Sequence, residues 1–401
     1  MTTPDIQRSF LRWREIPASV WALGLVSLFM DLSSEMIHAL LPLYLVTVFG
    51  TSMLTVGVIE GIAEATASIT KVFSGSLSDR LGHRKLLTAL GYGLAAVTKP
   101  AFPLAPSVGW LVAARFVDRV GKGIRGAPRD ALIADLTQPA IRGASFGLRQ
   151  SLDTIGAFLG PLVAMALMLW TANNFTFVFW VAVVPAFLSV ATIVFAVSEP
   201  DRAAAPAPVR APLSRAELNR LGSPYWLIVA IATLFTLARF SEAFLLLRAQ
   251  SVGLDLALVP LMLVVMNVVY ALSAWPAGAL SDYFGRFGLL GCGLALLIVA
   301  DLALAFAGGV GAVVSGVALW GLHMGFTQGL LAALVADTAP ADLRGTAFGV
   351  FNLVTGLAML LASVLAGALW DMVGPQGTFL AGALFTALTL LALPLARRMI
   401  S

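Results

Sequence analysis

The feature that most limits what this chain can become is the recurrence of apolar stretches as long as a bilayer is thick, joined by short polar connections. A hydrocarbon core of ~30 Å takes ~20 largely apolar residues in helical form. Lipid offers no partner to an unpaired backbone amide, so each such stretch reads as a spanning helix. The stretches fall at 19–49, 53–77, 86–106, 108–130, 141–169, 175–197, 223–250, 255–280, 287–308, 310–337, 342–370 and 376–397. Over 401 residues, 59% are hydrophobic and 11% charged, more apolar side chain than a water-facing surface accommodates. The basic leader before the first stretch runs into an apolar segment longer than a secretory core, which predicts a cytoplasmic entry into the first span without cleavage.

Arginine and lysine set the orientation. The leader (Arg8, Arg12, Arg14), the connection with Arg80, Arg84 and Lys85, the segment with Arg202, Arg210, Arg215 and Arg220, and the tail (Arg397, Arg398) are basic. The opposite connections carry no cations, and only Lys99 and Arg248 lie near that side. Both termini are therefore expected in the cytoplasm, in a cell (inner) membrane. The Pro-, Ala- and Arg-rich stretch at 199–222 has no spanning pattern and predicts a cytoplasmic linker between a six-helix bundle at 1–198 and another at 223–401. The halves repeat one another. Gly75-Ser-Leu-Ser-Asp79 recurs as Gly278-Ala-Leu-Ser-Asp282, and Arg142-Gly143 with Phe146-Gly147 recurs as Arg344-Gly345 with Phe348-Gly349. The expected fold class is an all-α integral membrane protein with about 12 transmembrane helices in two pseudo-symmetric six-helix bundles.

The run Gly75-Ser76-Leu77-Ser78-Asp79-Arg80-Leu81-Gly82-His83-Arg84-Lys85 resembles the signature between helices 2 and 3 of the major facilitator superfamily, and the weaker copy at Gly278 follows the eighth run. Physically, Gly75 and Gly82 permit close approach and a tight turn. Asp79 can accept from a nearby helix N-terminus or cation. Gly75, Asp79, Arg80, Gly82 and Asp282 are thus expected to form a conformational latch, with Arg84 and Lys85 open to a purely topological role. In the fifth run, Gly156-Ala157-Phe158-Leu159-Gly160-Pro161 resembles the helix-5 motif of the superfamily's proton-coupled antiporter branch, although Ala164 and Met165 stand where paired glycines are expected. Arg119 and Gly123 resemble the helix-4 signature, with Lys122 where a neutral polar residue is common.

Ionisable residues at mid-bilayer cost ~2.5–3.5 kcal/mol each even on the lenient insertion scale, so they normally face a wet or protein-lined interior. Asp31, Glu35 and His38 lie at i, i+4 and i+7, within ~60° of arc on a helix. Together with Glu60 and Glu64 on the second run, they are the candidates for proton coupling, since neighbouring acids favour sharing a proton. The candidate substrate cavity gathers Arg115, Arg119 and Lys122 from the fourth run, Arg149 and Asp153 from the fifth, and Arg239 and Glu242 from the seventh. Ion pairing within these groups is the alternative to a cavity role. No metal is expected, with a site at His38, Asp31 and Glu35 the minority alternative.

These residues point to a secondary active transporter: proton-coupled export of a small polar or anionic solute by alternating access through a midplane cavity. The alternatives are efflux of hydrophobic drugs and transport of a metal ion or metal chelate. A receptor or scaffold would not need charges on several spans. Motifs for nucleotide binding, zinc proteolysis or a nucleophile elbow are missing, so an enzyme is not expected. The expected partners are the bilayer, a small-molecule substrate and protons, acting on a monomer. Neither a cofactor nor nucleic acid is expected, because the net charge of +4 is scattered among connections rather than gathered in a patch. The single cysteine, Cys292, excludes an intramolecular disulfide.

Overall fold

The computed structural model describes residues 15–81, 83–199, 215–327, 330–340 and 343–400. Each expected apolar run is mostly helical there. The helices are α1 (Ala18–Thr47), α2 (Met53–Leu81), α3 (Arg84–Thr98), α4 (Val108–Leu136), α5 (Arg142–Trp170), α6 (Phe175–Ala196), α7 (Arg215–Arg220), α8 (Ser223–Ala238), α9 (Ala243–Ser251), α10 (Leu261–Ala305), α11 (Val310–Thr327), α12 (Leu330–Thr338), α13 (Arg344–Val373) and α14 (Pro375–Ile400). Ten segments among the described residues are long and apolar enough to cross a membrane. The other two expected spans miss for local reasons. α3 has 15 residues and is prolonged by a 3-10 turn at Lys99–Ala101, and α4 is loaded with charge. Large apolar side chains such as Phe195, Trp170 and Leu391 stay exposed, as a lipid-facing surface requires.

Where the runs break is informative. The seventh run divides into α8 and α9 because Arg239 leaves the helical region at φ −105° and ψ 76°. The eighth and ninth runs form one 45-residue α10 that turns at Gly285, where φ is +70°, a left-handed conformation that glycine adopts without a Cβ penalty. α6 begins where the Asn174 side chain accepts the Phe177 N–H at 3.0 Å.

The chain divides into two compact units, one from 1–37, 70–163 and 174–210, the other from 38–69, 164–173 and 211–401. The sequence repeat and these packing units are different divisions. The first half of α2 packs at backbone distance on α13, because a side chain at Gly61 would come within 2.9 Å of the Leu360 backbone, and so it counts with the second unit. The core of the first unit joins Leu23, Val26 and Met30 of α1 to Tyr92 and Ala95 of α3 and Ile133 of α4. The core of the second is aromatic: Phe240 packs on Phe244, Trp320 and Phe379, with ring centroids 5.4–5.6 Å apart.

Candidate functional site

In the first unit, small residues decide which charges meet. A side chain at Gly156 of α5 would lie 2.5 Å from the Leu28 carbonyl, and one at Gly160 would lie 2.6 Å from Glu35 Cβ. These glycines let α5 approach the acidic face of α1. Asp31 Oδ1 then stands 3.6 Å from Arg125 Nη2 of α4. Asp153 Oδ1 stands 3.5 Å from Arg149 Nη1 and 3.8 Å from Arg129 Nη1. The two carboxyls, Asp31 and Asp153, are close enough to share a proton. Arg129 also donates to Ser27 Oγ at 3.1 Å and to the Tyr92 hydroxyl at 3.3 Å, while the Arg125 guanidinium lies 4.6 Å over the Tyr92 ring. Two acids among three guanidinium groups tie α1, α4 and α5 together. Adding a proton to either acid removes one of those ties.

A second ionic cluster lies deeper in the same unit. Lys99, with 1% of its surface exposed, donates to Asp118 Oδ1 at 2.9 Å and to Ser34 Oγ at 3.0 Å. Arg119 Nε is 3.8 Å from Asp118 Oδ2. Arg115 and Arg119 are buried, whereas Lys122 is exposed. The basic stripe therefore does not act as one uniform wall, since Arg119 faces the Asp118 carboxylate.

The second unit holds His38 Nε2 at 3.6 Å from Glu60 Oε2, with Glu60 buried. It also holds a cavity of about 270 Å³ whose walls include Glu64, Ser68, Phe235, Arg239, Thr355 and Met359. Arg239 reaches this cavity because α8 stops there, and its guanidinium lies 5.7 Å from the Phe235 ring centroid. Glu242 stands at the position just before α9, across the same break. A cation, a carboxylate, two hydroxyls, an aromatic ring and a thioether make a site that orients a small polar solute.

The one-face stripe of α1 is thus shared out: Asp31 meets Arg125 and Asp153, Glu35 sits against Gly160, and His38 meets Glu60. Among the described residues no three His, Cys, Asp or Glu side chains gather closely enough to hold a metal ion, so the alternative metal site at Asp31, Glu35 and His38 has no assembled ligand set. Of the expected latch, Gly75 lies within α2, while the side chains of Asp79, Arg80 and Asp282, and Gly82 itself, lie outside the described residues. Arg84 and Lys85 do more than fix topology. Arg84 Nη1 bonds Asp135 Oδ2 at 2.6 Å and the Ala131 carbonyl at 2.8 Å, its backbone N–H bonds Glu199 Oε1 at 2.6 Å, and Lys85 Nζ bonds the Val194 carbonyl at 3.1 Å.

Sequence reasoning placed Lys99 and Arg248 near a connection, yet both are buried. Arg248 donates to the carbonyls of Leu304 at 2.8 Å and Ala307 at 2.7 Å, closing the end of α10. The signal available for Lys99 was its separation from Asp118 across one short connection, which suits pairing between adjacent antiparallel helices.

With this geometry in hand, comparison with known proteins is specific. The Major Facilitator Superfamily family model matches residues 23–362 and 240–399. An uncharacterized MFS-type transporter of Methanocaldococcus jannaschii is 33% identical, over 96% of this chain and 96% of that protein. The inner membrane transport protein YajR of Escherichia coli is 25% identical, over 93% of this chain and 82% of its own length. The solved structure of the nucleoside transporter NupG superposes with a TM-score of 0.79 at 13% identity, over 94% of this chain and 99% of that one, a likeness of fold.

Proposed function

Because the chain belongs to the major facilitator superfamily, and is a multi-pass membrane transporter of that family, we propose that it exports a small polar solute bearing an anionic group in exchange for protons, by alternating access, as a monomer with both termini in the cytoplasm. The observation that carries this reading is the pair Asp31 and Asp153 set among Arg125, Arg129 and Arg149. A proton arriving there neutralises one acid, weakens the ties between α1, α4 and α5, and so favours a different packing of these helices. His38 with Glu60 offers a further proton-accepting pair. Arg239 and Glu64 supply the fixed charges for a solute that carries an anionic group and a donor. Export agrees with the close approach of Gly156 and Gly160 to the acids of α1, the contact made by the helix-5 motif that resembles the antiporter branch.

The test is solute movement in proteoliposomes with and without an imposed pH gradient, using the purified protein and its Asp31→Asn and Asp153→Asn variants. The expected result is gradient-driven accumulation of an organic anion that both variants lose while staying folded. Accumulation that ignores the gradient, or that both variants retain, would overturn proton coupling at this pair.

A further inference from the structure

The second unit buries a carboxyl group that nothing above uses. Asp301, in the last part of α10, has 0% of its surface exposed, and neither of its oxygens has a hydrogen-bond partner. Leaving a carboxylate unpaired in such a place costs several kcal/mol, whereas a neutral acid forgoes only its hydrogen bonds. The space is shaped for it. A Cβ at Gly382 of α14 would stand 2.7 Å from Asp301 Oδ2, and 3.2 Å from the Phe240 ring edge.

The ionisable groups on the surrounding helices are few. α11 brings His323, and residues 375–394 of α14 bring none. In α9, Arg248 is engaged with helix-end carbonyls; Arg239 and Glu242 stand at the α8–α9 break; Asp337 of α12 pairs with Arg286. His323 is itself fully buried. Its Nδ1 is 2.9 Å from the Gly293 carbonyl, which only accepts, so Nδ1 carries the proton and Nε2 offers a lone pair with no partner. The His323 ring touches Phe235 of the cavity wall at 5.5 Å between centroids and Trp320 at 6.5 Å. Trp320 touches Phe240 at 5.5 Å, and Phe240 flanks the Gly382 notch that receives Asp301. Aromatic rings thus separate the cavity wall from the notch that holds Asp301, and His323 packs among them without a polar contact to the acid.

We infer that Asp301 is a second proton-binding site, in the C-terminal half of the chain, loaded as the neutral acid in the notch at Gly382. Its role in transport rests on the proton-coupled reading above; its protonation does not.

Infrared difference spectroscopy on the full chain, comparing the protein with Asp301→Asn at neutral pH, tests this without substrate or gradient, so a failed transport assay and a failed protonation assay are told apart. The expected result is a protonated-carboxyl C=O band that Asp301→Asn lacks and that shifts on transfer to D2O. Lack of the band overturns the site, and a band that never exchanges overturns its carrier role. If Asp301→Asn does not fold, Gly382→Ala serves: its methyl must press on Oδ2 and move the band, and an unmoved spectrum overturns the assignment.

Discussion

Arg84 and Asp135 join the start of α3 to the end of α4 through a 2.6 Å bond from Nη1 to Oδ2, and Arg286 and Asp337 form the corresponding pair in the other repeat, both pairs 51 residues apart in sequence. The Arg84 pair is partly buried, with side chains 11% and 23% exposed. Arg84→Gln is expected to lower stability by about 1.5–3 kcal/mol, the range of a charge-assisted hydrogen bond, with Asp135→Asn adding little in the double variant. Melting curves of the purified single and double variants check this, and additive losses would show the two residues to be independent.

The N-terminus of α2 is capped from far along the chain. Asp371 of α13 accepts the N–H of Met53 at 3.0 Å and of Leu54 at 2.8 Å. Free N–H groups at a helix start favour an anion, so Asp371→Ala is expected to cost about 0.5–2 kcal/mol of that contact. Thiol labelling of a Val58→Cys variant lacking Cys292 should then speed up several-fold. An unchanged labelling rate would mean the contact does not hold this end of α2 in place.

Lys99 is predicted to matter for folding rather than for solute choice. Lys99→Met removes a direct partner of Asp118 and is expected to destabilise by about 3–5 kcal/mol, whereas Lys99→Met with Asp118→Leu recovers most of the loss because no unpaired charge remains buried. Thermal stability of the single and double variants decides this. A double variant as unstable as the single would point to packing instead of charge.

Substrate charge can be tested at the cavity. Arg239→Gln is expected to abolish the rise in melting temperature produced by organic anions while leaving the response to lipophilic cations unchanged. A wild-type protein stabilised by lipophilic cations alone would favour hydrophobic drug efflux over the anionic solute proposed above.

A proton-coupled site at Asp31 and Asp153 predicts that the two substitutions are not additive. Asp31→Asn, Asp153→Asn and the double variant should show the same loss of pH-driven accumulation, since one shared proton is removed in each. Accumulation lost only in the double variant would assign one proton to each acid.

The sequence by itself determined which segments leave water. Transfer of a side chain into lipid is a local, roughly additive quantity, so runs of apolar residues locate the spans, and the repeated Arg-Gly and Gly-x-x-Ser-Asp segments locate the halves. Helical periodicity also put Asp31, Glu35 and His38 on one face of α1. It could not say that Asp31 would meet Arg125 and Asp153 while His38 met Glu60, that Lys99 would turn inward to Asp118, or that Asp371 would cap a helix more than 300 residues away. Those outcomes depend on which helices approach closely, and that is decided by small residues such as Gly156, Gly160 and Gly61 together with their neighbours. An ionic interaction requires its partners within a few ångströms, a distance fixed only once the helices are packed, so the tertiary structure alone sorted these charges into ties, cavity walls and an unpaired buried acid.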